Sequence, residues 1–168
     1  YSSKTFSALQ FLIFLAQTSP VKVDINVVSE SIPHLKGGTI KDWFTILAER
    51  QESNPSFNQT DHLYRRDDWA GVIQFLSADN EKALGMRRDI LFINEADTIS
   101  WETARELISR TNIFIILDWN PRSEFWAHEY YVNDPRWAYD HSTYVDALNV
   151  IPQGKSDDIQ DLGRKDAN

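Results

Sequence analysis

A short apolar run in the middle of the chain ends on two polar residues that could do chemistry. Residues 90–95 read ILFINE, so a stretch of apolar side chains leads directly to Asn94 and Glu95. A carboxylate in this position either marks the point where a strand reaches the surface or lies at the carboxyl edge of a parallel sheet. Enzymes of the α/β class keep their reactive groups at that edge. There Glu95 could polarise a water molecule as a general base, and Asn94 could hydrogen-bond a water bound to Mg²⁺.

A second apolar run, at 112–118, ends in a similar way. It reads NIFIILD and closes on Asp118, and Asn120 lies just beyond it in the sequence DWNP. In a nucleotide-hydrolysing sheet this position lies beside the terminal phosphate and can sense hydrolysis. In an unrelated protein the same Asn-Pro pair marks an ordinary turn.

The first residues of the chain, YSSKT, match the end of a phosphate-binding loop. Such a loop reads GxxxxGK[ST], so Lys4 and Thr5 would be its last two residues and Ser3 replaces its second glycine. A lysine and a hydroxyl suit the start of a helix, because free N–H groups and the helix dipole attract phosphate there. The first glycine would lie before Tyr1. We therefore expect that the chain begins inside the loop and lacks the strand before it.

The elements that would position these residues follow from the apolar pattern. Residues 5–17 predict a helix that ends before Pro20, 21–29 predict a strand, and 37–50 carry a helical pattern after two glycines. Residues 62–77 predict a hairpin that turns at Asp67 and Asp68. The runs at 89–94 and 112–118 flank a helix at 100–110, and this βαβ unit predicts a parallel sheet covered on both faces.

The pattern weakens after Pro121. Residues 124–132 are rich in aromatic side chains and fit either a helix or a strand, and 137–147 favour another strand. The polar tail at 154–168 has no apolar face and is typical of a linker or a frayed end.

Composition excludes several classes of protein. The chain of 168 residues has no cysteine, which excludes disulfides and thiolate zinc sites, and its four histidines are too scattered to favour a histidine metal centre. The net charge of −8 argues against a generally basic nucleic-acid surface, although not against a local basic patch. The apolar stretch at 6–19 is interrupted by Gln10 and is too short to cross a bilayer, so we expect a buried helix rather than a signal peptide.

Taken together, these motifs resemble the ATPase domain of the large terminase subunit of tailed bacteriophages. Residues 85–126 follow that family's order of G-x-R-x-D, an apolar strand, NEA, a helix, an RT pair and a strand ending in D-[FYW]-NP. Residues 141–147, HSTYVDA, are similar to its H-S-T-Y-x-D-N stretch, with Ala147 in place of asparagine. The resemblance extends over essentially the whole chain and is most specific in 85–126.

The resemblance implies an α/β, three-layer P-loop NTPase fold with a mostly parallel central sheet. In that fold the strand at 112–118 lies between the P-loop strand and the strand that ends at Glu95. We expect the first strand, the P-loop strand, to be missing from this sequence, which would leave the outer edge of the strand at 112–118 unpaired. An unpaired edge on so apolar a strand is a liability.

The resemblance also implies ATP and Mg²⁺ as cofactors and assigns roles to particular residues. Lys4 would hold the β- and γ-phosphates, Thr5 would ligate Mg²⁺ and Asn94 would orient the water shell of the metal. Glu95 would activate the hydrolytic water, and Asn120 would couple nucleotide state to movement. The full nucleotide-binding set is Ser3, Lys4, Thr5, Asn94 and Asn120. Arg87 and Arg88 either contact a phosphate in the same or a neighbouring subunit or are solvated surface arginines.

The family resemblance further implies a DNA-packaging motor in the cytoplasm of a bacterial host. Its partners would be double-stranded DNA, the small terminase subunit, the portal protein and further copies in a ring, with no membrane contact. We expect residues 1–153 to form the N-terminally truncated ATPase domain and 154–168 a linker or tail, with the nuclease domain absent from this sequence. Two alternatives stay open: another P-loop nucleic-acid motor, and a degenerate prophage remnant that serves as a non-catalytic assembly module.

Overall fold

A computed structural model of the chain describes residues 3–120 and 122–142. The chain divides into two compact units after Asn133. The helices of the first unit are α1 (Ser3–Thr18), α2 (Ile32–Gly37), α3 (Thr39–Leu47), α4 (Glu81–Gly85), α5 (Trp101–Ser109) and α6 (Trp126–Tyr130), with a 3₁₀ turn at Ala96–Thr98. Its strands are β1 (Val23–Ser29), β2 (Phe57–Asn58), β3 (Leu63–Arg65), β4 (Gly71–Ser77), β5 (Arg88–Ile93) and β6 (Thr111–Leu117). The described residues of the second unit, 134–142, contain turns but no helix or strand.

The strands form one mostly parallel sheet in the order β2-β3-β4-β1-β5-β6. The four strands β4, β1, β5 and β6 are parallel, and β2 and β3 add an antiparallel margin beside β4. This arrangement confirms the hairpin predicted over 62–77 and the βαβ unit formed by β5, α5 and β6. The carboxyl ends of the parallel strands therefore meet at one edge of the sheet, where Ser29, Ser77, Asn94 and Asp118 lie.

Side chains alternate between two apolar cores on the two faces of the sheet. Along β1, Val27 packs into the first core and Val28 into the second, and along β5 the same holds for Phe92 and Ile93, as expected for the two-residue period of a strand. Helices α1, α2 and α3 cover the first face, and α4, α5 and α6 cover the second. The result is the expected three-layer α/β architecture.

Helix α1 runs antiparallel to the strands and packs closely on β4. A Cβ atom at Gly71 would lie 2.4 Å from the Cα atom of Ala16, so only glycine permits this approach of helix to strand. The contact fixes the carboxyl end of α1 beside the start of β4. The amino end of the helix consequently reaches the carboxyl edge of the sheet.

The prediction that both central apolar strands are covered on both faces is wrong for β6. Strand β5 is buried along most of its length, whereas Ile113 of β6 is 70% exposed and Phe114 is 45% exposed. The reason is position: β6 is the last strand of the sheet, and no described strand pairs with its outer edge. The ring of Phe114 contacts Phe11 of α1 edge-on, with a centroid separation of 6.0 Å. That a further strand belongs beside β6 stays a prediction.

Three other sequence predictions are refined. The helix predicted over 37–50 is α3, and a separate short helix, α2, precedes Gly38. The ambiguous segment 124–132 contains helix α6. The strand predicted over 137–147 is wrong for 137–142, which are irregular and mostly exposed because no neighbouring strand pairs with them. Residues 143–147 and the tail at 154–168 lie outside the described residues.

Candidate active site

The amino end of α1 carries three predicted site residues to the carboxyl edge of the sheet. Ser3 is the first residue of the helix, and Lys4 and Thr5 follow in its first turn. The hydroxyl of Thr5 lies 3.1 Å from Oδ1 of Asn94 and 2.6 Å from Oδ2 of Asp118. Residues from the start of the chain, the end of β5 and the end of β6 thus meet at one point.

The three oxygen atoms at this point have more hydrogen-bonding capacity than they can satisfy among themselves. Thr5, Asn94 and Asp118 are all buried. The Thr5 hydroxyl carries a single hydrogen, so it cannot satisfy the Asn94 oxygen and the Asp118 carboxylate at once. Burial raises the pKa of Asp118, and this effect is partly offset by the hydrogen bonds from Thr5 and from the Glu95 amide and by the nearby charge of Lys4. A cation bound beside these oxygens would therefore stabilise the buried negative charge of Asp118.

Lys4 is held at the same edge by the main chain. Its Nζ atom donates to the backbone carbonyl of Trp119, at 2.6 Å. The indole ring of Trp119 packs edge-on against Phe125 and His128, so the start of α6 supports the loop that holds the lysine. The ammonium group of Lys4 therefore lies next to the buried carboxylate of Asp118 without a salt bridge to it.

Glu95 lies immediately after β5 in an unusual backbone conformation. Its φ and ψ angles are 53° and 54°, in the left-handed region that non-glycine residues rarely adopt. Its amide donates to Oδ1 of Asp118 at 2.7 Å, and its carbonyl accepts from both the amide and the hydroxyl of Thr98. The Glu95 carboxylate is half-buried and has no hydrogen bond or ion pair within the described residues.

The same oxygens are the kind that Mg²⁺ prefers. Magnesium takes hard oxygen ligands and keeps several of its waters, so one or two protein ligands and a nearby negative charge suffice. Thr5 Oγ1 could ligate such an ion, Asn94 Oδ1 could hydrogen-bond its water shell, and the Asp118 carboxylate would supply the negative charge. Among residues 3–120 and 122–142 there is no cluster of three or more histidine, aspartate or glutamate side chains that would suit a different metal centre.

Arg88 does not occupy the position that the sequence suggested for it. It is 1% exposed, and its guanidinium donates to Oδ1 of Asn26 and to the carbonyls of Leu107, Ala83 and Met86. It also begins β5, so it lies about 20 Å along the strand from Asn94. The interpretation of Arg88 as a solvated or phosphate-contacting arginine is therefore wrong. Most of its N–H donors are hydrogen-bonded to oxygen atoms inside the protein.

Arg87 and Asn120 keep their predicted roles untested. Arg87 is exposed and lines an open polar cavity of about 430 Å³ at the amino edge of the sheet, together with Glu106, Ser109, Arg110 and Asn112. Its position excludes contact with a phosphate at Lys4 of the same subunit but leaves a contact with a neighbouring subunit as a prediction. Asn120 is half-buried, two residues after Asp118, and its carbonyl accepts from the Arg122 amide.

Comparison with solved structures gives the fold a precedent. The large terminase of a thermophilic bacteriophage superposes on 70% of this chain with a TM-score of 0.56 and 12% sequence identity. The described core has a fold similar to that of the matched part of this phage large terminase. The match covers 30% of the length of the thermophilic phage protein. The resemblance inferred from the sequence is thus confirmed at the level of the fold.

Another crystal form of the same phage terminase, solved in complex with ADP, matches 67% of this chain and 29% of its own, with a TM-score of 0.52 and 12% identity. No family model matches the sequence. No curated protein matches it either. Within the described residues, no helix is both long enough and apolar enough to span a membrane.

Asp118 is recognisable in the sequence as a strand end, but it is not among the predicted site residues. In the structure it lies at the centre of the carboxyl edge of the sheet, because it contacts Thr5 and Glu95 through its two carboxylate oxygens. The signal was available: Asp118 closes an apolar run just as Asn94 does. The hydrogen bond from Lys4 to the Trp119 carbonyl could not be predicted in this way, since every residue has a backbone carbonyl whatever its type.

Proposed function

We propose that this chain is the ATP-hydrolysing motor domain of a phage terminase large subunit, which drives double-stranded DNA into the procapsid. The observation that carries the proposal is the convergence of Lys4, Thr5, Asn94 and Glu95 at the carboxyl edge of a parallel sheet. These residues come from separate parts of the chain. A lysine, a hydroxyl, an amide and a free carboxylate at one such edge are the groups that phosphoryl transfer to water requires.

The residues of the chain would divide the work as follows. Lys4 exchanges the Trp119 carbonyl for the β- and γ-phosphates of ATP, because a phosphate is the stronger partner for an ammonium group. Thr5 would ligate Mg²⁺ and Asn94 would orient its water shell, and the bound ion would neutralise part of the phosphate charge. The unpaired Glu95 carboxylate orients the attacking water and accepts its proton. Asn120, beyond the end of β6, senses the loss of the γ-phosphate and couples this change of nucleotide state to a movement of α6.

The assembly partners of the proposed motor come from the resemblance to large terminases. They are double-stranded DNA, the small terminase subunit, the portal protein and further copies of the chain in a ring. The thermophilic phage terminase was solved with bound ADP, which supports a nucleotide as ligand of this fold. Because the chain spans about 30% of the length of that protein, translocation and DNA cutting by the whole assembly belong to the proposal.

The experiment that tests the proposal is the substitution Glu95→Gln. If Glu95 is the general base, the variant should keep ATP binding and lose hydrolysis by roughly 10²-fold or more. Phosphate release and calorimetric ATP binding measure the two properties separately. Glu52→Gln, at an exposed position in the loop before β2, is the matched control and should hydrolyse ATP at the rate of the parent protein.

Two outcomes would contradict the proposal. Near-normal turnover in Glu95→Gln would remove the general base from the mechanism. ATP binding without hydrolysis in the parent protein would instead favour a non-catalytic assembly module.

A further inference from the structure

Every polar atom of Asp118 is hydrogen-bonded, either to the end of β5 and the turn after it or to the start of α1. Its carboxylate accepts from the Glu95 amide through Oδ1 at 2.7 Å and from the Thr5 hydroxyl through Oδ2 at 2.6 Å. Its carbonyl accepts from the Ala96 amide at 2.8 Å, and its own amide donates to the Ile93 carbonyl at 3.1 Å. Consecutive amides after β5 are thus fixed from a single residue after β6.

We call these hydrogen bonds of Asp118 the Asp118 clamp. The residue that the clamp holds, Glu95, is the one with the left-handed backbone. A left-handed conformation at a glutamate persists only where the surroundings impose it. Around Glu95 the imposing contacts are the Asp118 carboxylate on its amide and Thr98 on its carbonyl. Of these two, only the first comes from outside the turn that follows β5. Together with the bond from the Ala96 amide to the Asp118 carbonyl, it ties the direction of Glu95 to the end of β6 and, through Thr5, to α1.

We infer that Asp118 is a positioning residue that fixes the backbone of Glu95 and thereby sets the direction of its carboxylate. The inference rests on the proposed function for its catalytic consequence, but the clamp itself can be measured without any nucleotide. The Oδ1 contact with the Glu95 amide does the positioning. The negative charge of Asp118 would attract a Mg²⁺ ion bound beside Thr5 and Asn94. An amide side chain at this position would therefore keep the first role and lose the second.

Hydrogen exchange in the nucleotide-free protein tests the clamp. In Asp118→Ala the Glu95 amide loses its acceptor and should exchange on the order of tenfold or more faster, the scale of a local opening. The Ala96 and Asn94 amides are internal controls, because they bond to backbone carbonyls and should stay protected. In Asp118→Asn the Oδ1 acceptor remains, so Glu95 should stay protected. Unchanged Glu95 exchange in Asp118→Ala would overturn the inference.

A coupling measurement keeps the test decisive if Asp118→Ala folds poorly. Glycine adopts the left-handed conformation without strain, so Glu95→Gly removes the need for the clamp. The fall in urea midpoint caused by Asp118→Ala should therefore be smaller in the Glu95→Gly background than in the parent. Equal falls in the two backgrounds would mean that Asp118 does not act through the Glu95 backbone.

Steady-state kinetics separate position from charge. At saturating ATP and Mg²⁺, Asp118→Ala should lose kcat by about tenfold or more, the scale of a misplaced catalytic group, whereas Asp118→Asn should keep most of kcat and require more Mg²⁺. An equal loss of kcat in both variants would overturn the inference. Asp89→Ala is the matched control, since Asp89 also accepts a backbone amide, that of Asp24, at the opposite edge. If Glu95→Gln turns over normally while the exchange results hold, the proposed function fails and the clamp stands.

Discussion

The two edges of the sheet each bury a charged side chain, and the two side chains differ in how many of their hydrogen-bonding groups have partners. At the amino edge Arg88 is enclosed by oxygen acceptors that engage most of its donors. Burial and the neighbouring Arg110 lower the pKa of Arg88 to about 10, which still leaves it charged at neutral pH. At the carboxyl edge Asp118 shares one hydroxyl hydrogen with Asn94 and lies beside a glutamate whose carboxylate has no partner among the described residues. Burial alone therefore does not distinguish the two edges; they differ in how completely the buried charge is matched by hydrogen-bonding partners.

Removing Arg88 should have the largest effect on stability. Arg88→Ala would remove the Arg88 donor from the Asn26 oxygen and from the Ala83 carbonyl, at an expected total of about 3 kcal/mol or more. The Leu107 carbonyl would keep its bond from the Thr111 hydroxyl. Urea unfolding followed by circular dichroism measures the loss. Arg87→Ala, at the exposed neighbouring position, is the matched control and should stay within about 0.5 kcal/mol of the parent. A loss in Arg87→Ala as large as that in Arg88→Ala would contradict the assignment of Arg88 to structure alone.

At the carboxyl edge the expected effect is on ligand binding rather than on folding. Lys4→Ala removes one exchangeable bond to the Trp119 carbonyl, so the unfolding midpoint should change little. A charged hydrogen bond to phosphate is lost, and ATP affinity should fall on the order of tenfold to a hundredfold. Calorimetry measures the affinity, with Lys82→Ala on the exposed face of α4 as control. If Lys4→Ala destabilises the fold but binds ATP normally, the two edges do not differ in the way described.

The contrast between the edges also explains how far the sequence could predict the molecule. Alternating residues predicted β1, continuous apolar runs predicted β5 and α1, and helical spacing predicted α3, because burial of an element requires such patterns. They could not predict that β6 is exposed, since its run NIFIILD is as apolar as that of β5 and exposure depends on its position at the end of the sheet. The strand predicted over 137–147 failed in its described part for a related reason: a strand needs a neighbour, and alternation does not supply one.

At the site itself, residue type and order predicted which residues come together better than they predicted the contacts among them. Lys4, Thr5, Asn94 and Glu95 were predicted together, and the structure places them at one edge. The adjacent arginines 87 and 88 are alike in the sequence, and only the packing of α5 and β1 around the second separates a buried structural arginine from an exposed one. Asp118 could be recognised in the sequence as a strand end. Its proposed role depends on the left-handed backbone of Glu95, which the residue types do not predict.

The smallest expected effect lies away from both edges and tests whether unmet capacity always signals function. His62, just before β3, has a buried Nε2 atom without a partner in the described residues and a φ of 49°. Burial, helped by Lys36 and opposed by Asp61, lowers the pKa of His62. A histidine whose pKa is lower in the folded state binds its proton more readily when unfolded. It therefore costs stability as the pH falls through the unfolded value of about 6.5.

We therefore expect the parent protein to lose part of its urea midpoint between pH 7 and pH 5 because of His62. His62→Asn, which tolerates a positive φ, should lose less over the same interval. His141→Asn, at an exposed position in the second unit, is the matched control and should follow the parent. ATP hydrolysis at pH 7 should be the same in all three proteins, because His62 belongs to the antiparallel margin of the sheet. A loss of hydrolysis in His62→Asn would show that unmet capacity marks a second functional position. An unchanged pH response would show that the Nε2 atom finds a partner in solution.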